Sequence, residues 1–201
     1  MNVTVIDYGA GNVASVERAL QRLGAASQRC NSPECVRKAK VLLLPGVGHY
    51  AALIRALNER ALRAPLLDAI RRGIPFLGVC LGLQALYGTS EEAPELTGLH
   101  LLPGAVRSLP SSVKLPHMGW NQLKLTRPSR LLEGISADAY FYFAHSFAAS
   151  NAHGEAVAIC NHGADFAAVI EKQNIFAVQF HPEKSGDAGA QLLQNFLRLA
   201  T

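Results

Sequence analysis

Two short blocks in this 201-residue chain carry residue types that can do covalent chemistry: Gly78-Val79-Cys80-Leu81-Gly82 and His181-Pro182-Glu183. A thiol attacks a carbonyl carbon efficiently when a neighbouring base takes its proton and a third group orients that base. Cys80, His181 and Glu183 can fill those three roles, and the chemistry they imply is acyl transfer. Alone, Cys80 would read as a small buried hydrophobe and His-Pro-Glu as a surface turn. Together, each supplies what the other lacks. His145 is a rival base, but a Cys80/His145 dyad leaves Glu183 without a role, whereas His181 accounts for three residues at once.

Such residues need elements that bring them to one place. Ile74 to Val79 is an apolar run without alternation, as in a strand buried on both faces of a parallel sheet. Leu81 to Tyr87 has helical composition, so Cys80 falls on a sharp strand-to-helix turn, a nucleophile elbow. Gly78 and Gly82 admit close backbone approach and unusual dihedrals there, and the amino end of the helix favours the thiolate. Asn174 to Phe180 is a β-rich run that delivers His181 to a strand end, where open α/β sheets place their sites. Pro182 is expected to keep the segment extended. Residues two apart then face the same way, which brings Glu183 to the imidazole. Val41 to Leu44 forms a further apolar strand entering the turn Pro45-Gly46-Val47-Gly48, whose freed amides can donate to an oxyanion.

The remaining chain fits the same plan. Val3 to Ile6 reads as a strand, Val13 to Leu23 as an amphipathic helix closed by Gly24, and Ala51 to Arg72 as a helical stretch. That βαβα order predicts a parallel sheet with helices on both faces. Glu91 to Asn161 is richer in turns and short strands, with His117 in a loop and a strand over Tyr140 to Ala144. Ala167 to Glu171 and Ile175 to Phe180 read as a hairpin about Lys172-Gln173-Asn174. Asp187 to Leu199 is a closing helix capped in the region of Ser185 to Asp187. Gly9 and Gly11 have no third glycine at position 14, so the dinucleotide fingerprint is absent.

Pro45-Gly46-Val47-Gly48, Gly78-Val79-Cys80-Leu81-Gly82-Leu83-Gln84 and His181-Pro182-Glu183 resemble the three blocks of the triad (class I) glutamine amidotransferases. The resemblance implies a flavodoxin-like α/β fold: three layers, a mostly parallel central sheet with helices on both faces, and a smaller antiparallel sheet. It implies a single domain over residues 1–201 and hydrolysis of glutamine through a glutamyl thioester on Cys80, with His181 as base and then acid and Glu183 as its orienting partner. By the same resemblance the turn at Gly46, Val47 and Gly48 and the amide of Leu81 would hold the oxyanion, and Gly48, Gln84, His145, Ser146 and Phe147 would contact glutamine. No cofactor is implied.

Asp7-Tyr8-Gly9-Ala10-Gly11-Asn12, Pro116-His117-Met118-Gly119-Trp120-Asn121, Tyr142-Phe143-Ala144-His145-Ser146 and His181-Pro182-Glu183-Lys184-Ser185 resemble one group within that family. Its members form a heterodimer with a separate (βα)8-barrel cyclase subunit and pass ammonia to it; Trp120, Tyr142 and Lys184 match positions at that interface. Phe147 and Ala144 depart from the tyrosine and valine frequent there. A glutaminase serving another synthase, or a non-catalytic regulator of the same fold, are the alternatives. The Pro116 to Asn121 block speaks against the first and an intact Cys80, His181 and Glu183 against the second.

Composition adds exclusions. The net charge is +4, but Arg55, Arg60, Arg63, Arg71 and Arg72 recur along one apolar-periodic segment as a solvated helix face. Without interleaved aromatics they make no nucleic-acid surface. No apolar run approaches the roughly 18 residues of a membrane span, and no targeting segment precedes the first strand, so a cytoplasmic setting is expected. Cys30, Cys35 and Cys160 are read as reduced structural thiols. Neither the cysteines nor His145, His153 and His162 have metal-site spacing.

Overall fold

A computed structural model describes residues 1–10, 12–151 and 154–200; Gly11 and His153 of the motifs above lie outside them. In chain order the elements are β1 (Asn2–Ile6), α1 (Val13–Arg22), β2 (Ala26–Cys30), α2 (Pro33–Lys38), β3 (Leu42–Leu44), α3 (Tyr50–Glu59), α4 (Arg63–Arg71), β4 (Phe76–Val79), α5 (Leu81–Gln84) and β5 (Tyr87–Ser90). There follow β6 (Leu102–Ser108), β7 (His117–Gln122), β8 (Lys124–Leu125), β9 (Tyr140–His145), β10 (Phe147–Ala149), β11 (Ala156–Asn161), β12 (Asp165–Lys172), β13 (Ile175–Val178), a 3-10 turn (Pro182–Lys184) and α6 (Gly186–Leu199).

The main sheet has the strand order β2-β1-β3-β4-β13-β12-β11-β8. The first five strands are mutually parallel and the last three pair antiparallel. Alternate residues of each central strand feed opposite cores. Ile6, Leu42, Leu44 and Phe76 pack with Val36, Leu53, Ile54, Leu57, Leu66 and Ile70 of α2, α3 and α4. Val3, Val5, Leu43, Leu77 and Val79 pack with Val16 and Leu20 of α1 and Leu192 and Phe196 of α6. Burial of both strand faces is why these segments read as unbroken apolar runs. Two smaller sheets lie beyond: β10-β6-β5, with one antiparallel and one parallel pairing, and the antiparallel ribbon β7-β9. Among the described residues no helix is long and apolar enough to cross a membrane.

Several expectations change. The stretch Ala51 to Arg72 is two helices, broken where Ala61 takes φ 53°. Pro65, in the first turn of α4, is the sequence signal for that restart. Arg63 is half-buried and donates to the carbonyls of Thr97 and Gly98 rather than facing solvent. Leu81 to Tyr87 gives only a one-turn helix before Tyr87 enters β5. His117 lies in a strand, not a loop. Cys30 and Cys35 are paired as a disulfide, not held as separate thiols. The end of β2 meets the first turn of α2 with Cα atoms 5.7 Å apart, within the usual span of such a bridge.

Candidate active site

The parallel order brings β3, β4 and β13 side by side, so their carboxyl ends deliver the Pro45–Gly48 turn, Cys80 and the approach to His181 to one edge. Cys80 takes φ 54° and ψ −105°, a strained conformation for a residue with a side chain. Its amide donates to Val178 O at 2.8 Å, which holds the elbow against β13. The flanking glycines serve close approach alone, since neither has a positive φ. A Cβ on Gly82 would lie 2.1 Å from Leu44 O, one on Gly78 2.6 Å from Gly82 O, and one on Gly46 2.5 Å from Leu81 Cβ.

His181 is buried, and its Nδ1 lies 3.0 Å from Glu183 Oε1. The contact forms as expected but by a different route: Pro182 opens a 3-10 turn instead of extending the chain. The backbone of His181 is fixed from both sides. Its amide donates to Tyr142 O at 2.8 Å, and its carbonyl accepts from Ser185 Oγ at 2.7 Å, which in turn accepts from Tyr142 N at 3.0 Å. Ser185 is thus committed to His181 and does not cap α6 through its side chain. Asn12 Nδ2 donates to Glu183 Oε1 at 3.4 Å and Tyr8 Oη to Val47 O at 3.5 Å. Tyr8 and Asn12 therefore brace the site.

Burial works against charge on His181, yet hydrogen bonds to Cys80 and Glu183 outweigh it and raise the imidazole to about 10. Those neighbours favour a proton on the imidazole. With Glu183 on Nδ1, the other ring nitrogen is left for sulfur.

Cys80, His181, Gln84, Gly48, Lys184 and Phe147 help line a cavity of about 360 Å³. Val47, Leu81, His145 and Ser146 share its wall, so the structure brings these expected site residues together. The turn differs from expectation in one respect. Gly46 presents its carbonyl to the elbow, where it accepts from Leu81 N at 3.4 Å. The first amide of α5 lacks an intrahelical acceptor, and Gly46 O satisfies it, so the Leu81 amide is engaged within the chain, and the N–H of the same trans peptide, that of Val47, is turned away from the elbow.

His145 is not available as a base. The Phe147 carbonyl, which can only accept, lies 2.9 Å from His145 Nδ1, and His145 Nε2 lies 3.1 Å from His117 Nδ1. His117 Nε2 in turn faces Asn121 Nδ2 at 3.3 Å. This chain assigns the proton of each imidazole to Nδ1. Burial lowers His145 to about 3, and burial with the neighbouring His162 lowers His117 to about 4. Because the unfolded chain protonates both near 6.5 and the folded chain does not, stability is expected to fall as pH drops from about 6.5 towards 4. Urea midpoints at stepped pH should show this fall, and a shallower one in His117→Gln.

Gln84 donates through Nε2 to Phe147 O at 2.7 Å and to Gln179 Oε1 at 3.2 Å. Its own Oε1 is buried, and no described residue donates to it. Gln179, absent from the sequence-based site, is fully buried with Nε2 3.6 Å from Cys80 Sγ. A carboxamide inside an otherwise apolar strand was its only signal.

Across the ribbon Trp120 pairs with Tyr142, their ring centroids 5.9 Å apart. Lys184 Nζ sits 5.6 Å from the Tyr142 ring centre. Met118, Trp120 and Tyr140 are 65%, 55% and 53% exposed on the same ribbon. Contiguous exposed apolar side chains of this kind mark interaction surfaces.

Comparison with known proteins decides the family. Residues 4–200 match glutamine amidotransferase class-I. The chain belongs to the class-I glutamine amidotransferases. This amidotransferase is 44% identical over 195 residues to imidazole glycerol phosphate synthase subunit HisH of Moorella thermoacetica, covering 96% of this chain and 93% of that one. It is 45% identical over 197 residues to the same-named subunit of Methanothermobacter thermautotrophicus, covering 98% of each. A crystal structure of a glutamine amidotransferase superposes with a TM-score of 0.79 over 98% of each chain at 22% identity, a likeness of fold.

Proposed function

We propose that this amidotransferase is the glutaminase subunit of an imidazole glycerol phosphate synthase, a cytoplasmic heterodimer with a cyclase subunit in histidine biosynthesis. The whole chain acts as one catalytic unit. The observation that carries the reading is the placement of Cys80 together with a His181 oriented by Glu183 at the wall of a cavity also lined by Lys184. Lys184 touches both that cavity and the exposed aromatic ribbon, so ammonia released at Cys80 lies close to the face offered to a partner.

In the proposed reaction the Cys80 thiolate attacks the carboxamide carbon of glutamine. A C–S bond forms as the carbonyl π electrons move to oxygen. His181 gives its proton to the nitrogen, the C–N bond breaks, and ammonia leaves a glutamyl thioester. Water, deprotonated by His181, then attacks the thioester and expels the thiolate, giving glutamate. Glu183 holds the imidazole and offsets its charge. Amides of the turn from Gly46 to Gly48 are the oxyanion donors in this scheme, that of Val47 only once the Gly46–Val47 peptide turns over. Leu81 joins them only when its amide is released from Gly46 O, which gives the turn two states and a means of switching activity. The unpaired Oε1 of Gln84 is an acceptor for glutamine, and His145, Ser146 and Phe147 form the facing wall. Ammonia passes to the cyclase docked on Trp120, Tyr142 and Lys184.

Glutamate release by the chain alone, with a cyclase subunit, and with that subunit plus its ribonucleotide ligand tests this reading. Activity is expected mainly in the full mixture. Equal release in all three would point to an uncoupled glutaminase, and none anywhere to a regulatory role.

A further inference from the structure

Gln179 is a polar side chain with no exposed surface, set where β13 ends between Val178 and Phe180. Its backbone amide extends the sheet pairing by donating to Ala168 O at 2.9 Å, so the strand explains the backbone but not the side chain. Burying a carboxamide is unfavourable unless its atoms find partners. Here they find two. Gln84 Nε2 lies 3.2 Å from Gln179 Oε1, and Gln179 Nε2 lies 3.6 Å from Cys80 Sγ.

The direction of these bonds follows from chemistry. The carbonyl of Phe147 can only accept, so the atom of Gln84 that lies 2.7 Å from it is the amide nitrogen. That nitrogen's other proton points at Gln179, which must present its oxygen. The nitrogen of Gln179 is thereby turned to sulfur. Sulfur then has Gln179 as a donor, in addition to the His181 imidazole, whose proton the neighbouring Cys80 and Glu183 favour. The short α5, one turn long, aligns few peptide dipoles towards Cys80, which leaves more of the stabilisation of a thiolate to these side chains.

We propose that Gln179 is a further catalytic residue: its carboxamide N–H is a standing donor to the Cys80 thiolate, held in that orientation by Gln84. The two donors differ in what they do next. His181 surrenders its proton to the departing nitrogen, whereas the amide protons of Gln179 are too weakly acidic to be transferred. It remains as the C–S bond forms and is in place again when that bond breaks and the electron pair returns to sulfur. Gln84 is a positioning residue in this scheme. Because its amide also grips Phe147 O, it ties the cavity wall to the orientation of the donor on sulfur.

The inference rests on Cys80 as the nucleophile, and its test separates the two. The purified chain is alkylated with iodoacetamide over a range of pH, with modification at Cys80 read by mass and thermal unfolding recorded in parallel. Gln179→Met keeps the volume and removes the donor. Its reactivity midpoint is expected to move up by about one pH unit, a tenfold loss of thiolate at fixed pH below the midpoint. The high-pH plateau should be unchanged or higher, since a less stabilised thiolate is the stronger nucleophile. With the cyclase, kcat for glutamate release should fall while KM for glutamine stays. A purely structural role would lower thermal stability and leave the midpoint in place. Should Gln179→Met fail to fold, Gln84→Met decides, with a smaller rise in the same direction. If His181→Asn moves the midpoint and the Gln179 and Gln84 variants do not, the donor role of Gln179 is overturned and the nucleophile stands. If none of them moves it and Cys80→Ser is labelled as the native chain is, both are overturned.

Discussion

Cys80→Ala abolishes glutamine-dependent synthesis in the complex with a cyclase and leaves synthesis from added ammonium intact: that is the first expected result. Removing the nucleophile takes away the thioester and leaves only whatever the cavity does for water attacking a bound amide, so glutamate release should fall by roughly 10⁴- to 10⁶-fold. The fold should survive the change. The elbow demands a positive φ, and the same chain holds Ala61 at φ 53°, close to the 54° of Cys80. Alanine also keeps the Cβ, so the contacts of Val79, Leu81 and the Val178 carbonyl with the elbow are retained. The measurement is paired: glutamate from glutamine, and cyclised product from ammonium chloride, on the same preparation. Loss of both activities would mean that Cys80 supports the assembly rather than the glutaminase step.

How much of this was legible beforehand depended on whether a residue's partners lie nearby in sequence. Gly78 to Gly82 and His181 to Glu183 announce themselves because each block holds its own reason: tight turns, a nucleophile, a base with its orienter two positions on. The central strands were legible because Leu42 to Leu44 and Phe76 to Val79 are buried on both faces and read as unbroken apolar runs. β2 was not. It is an edge strand, and Ala26, Gln28 and Arg29 are exposed, so neither alternation nor an apolar run marks it. Missing β2 and the short α2 hid the proximity of Cys30 and Cys35. Gln179 shows a different limit. Its letter sits in an ordinary strand, and its role exists only because the fold sets β13 beside β4 and turns Gln84 towards it. The direction of the Gly46 peptide is of the same kind, since no residue type at that turn fixes which way a carbonyl faces.

Gly82→Ala is the substitution expected to damage both stability and activity most without touching a chemical group. The new Cβ would stand 2.1 Å from Leu44 O and 3.2 Å from Leu44 C. Those are backbone atoms of a central strand, so no side-chain rotamer can relieve the overlap. Either β3 or the elbow must move, at a cost of about 3 kcal/mol, at the upper end for overpacking. Gly24→Ala makes the control: Gly24 has φ +73° and nothing within 4 Å of the added carbon, so it loses only about 1–2 kcal/mol from the left-handed backbone. Urea unfolding of the two variants beside the native chain separates crowding from backbone strain. Their consequences for activity should diverge further. Leu44 runs directly into Pro45 and Gly46, so displacing it shifts the turn that faces Cys80, and glutamate release should fall well beyond the fraction of chain that remains folded. Gly24 closes a helix at the far end of the sheet, and its variant should keep native turnover. Equal stability and activity in the two variants would show that the elbow does not depend on its packing against β3, and would remove the physical reason for glycine two residues after the nucleophile.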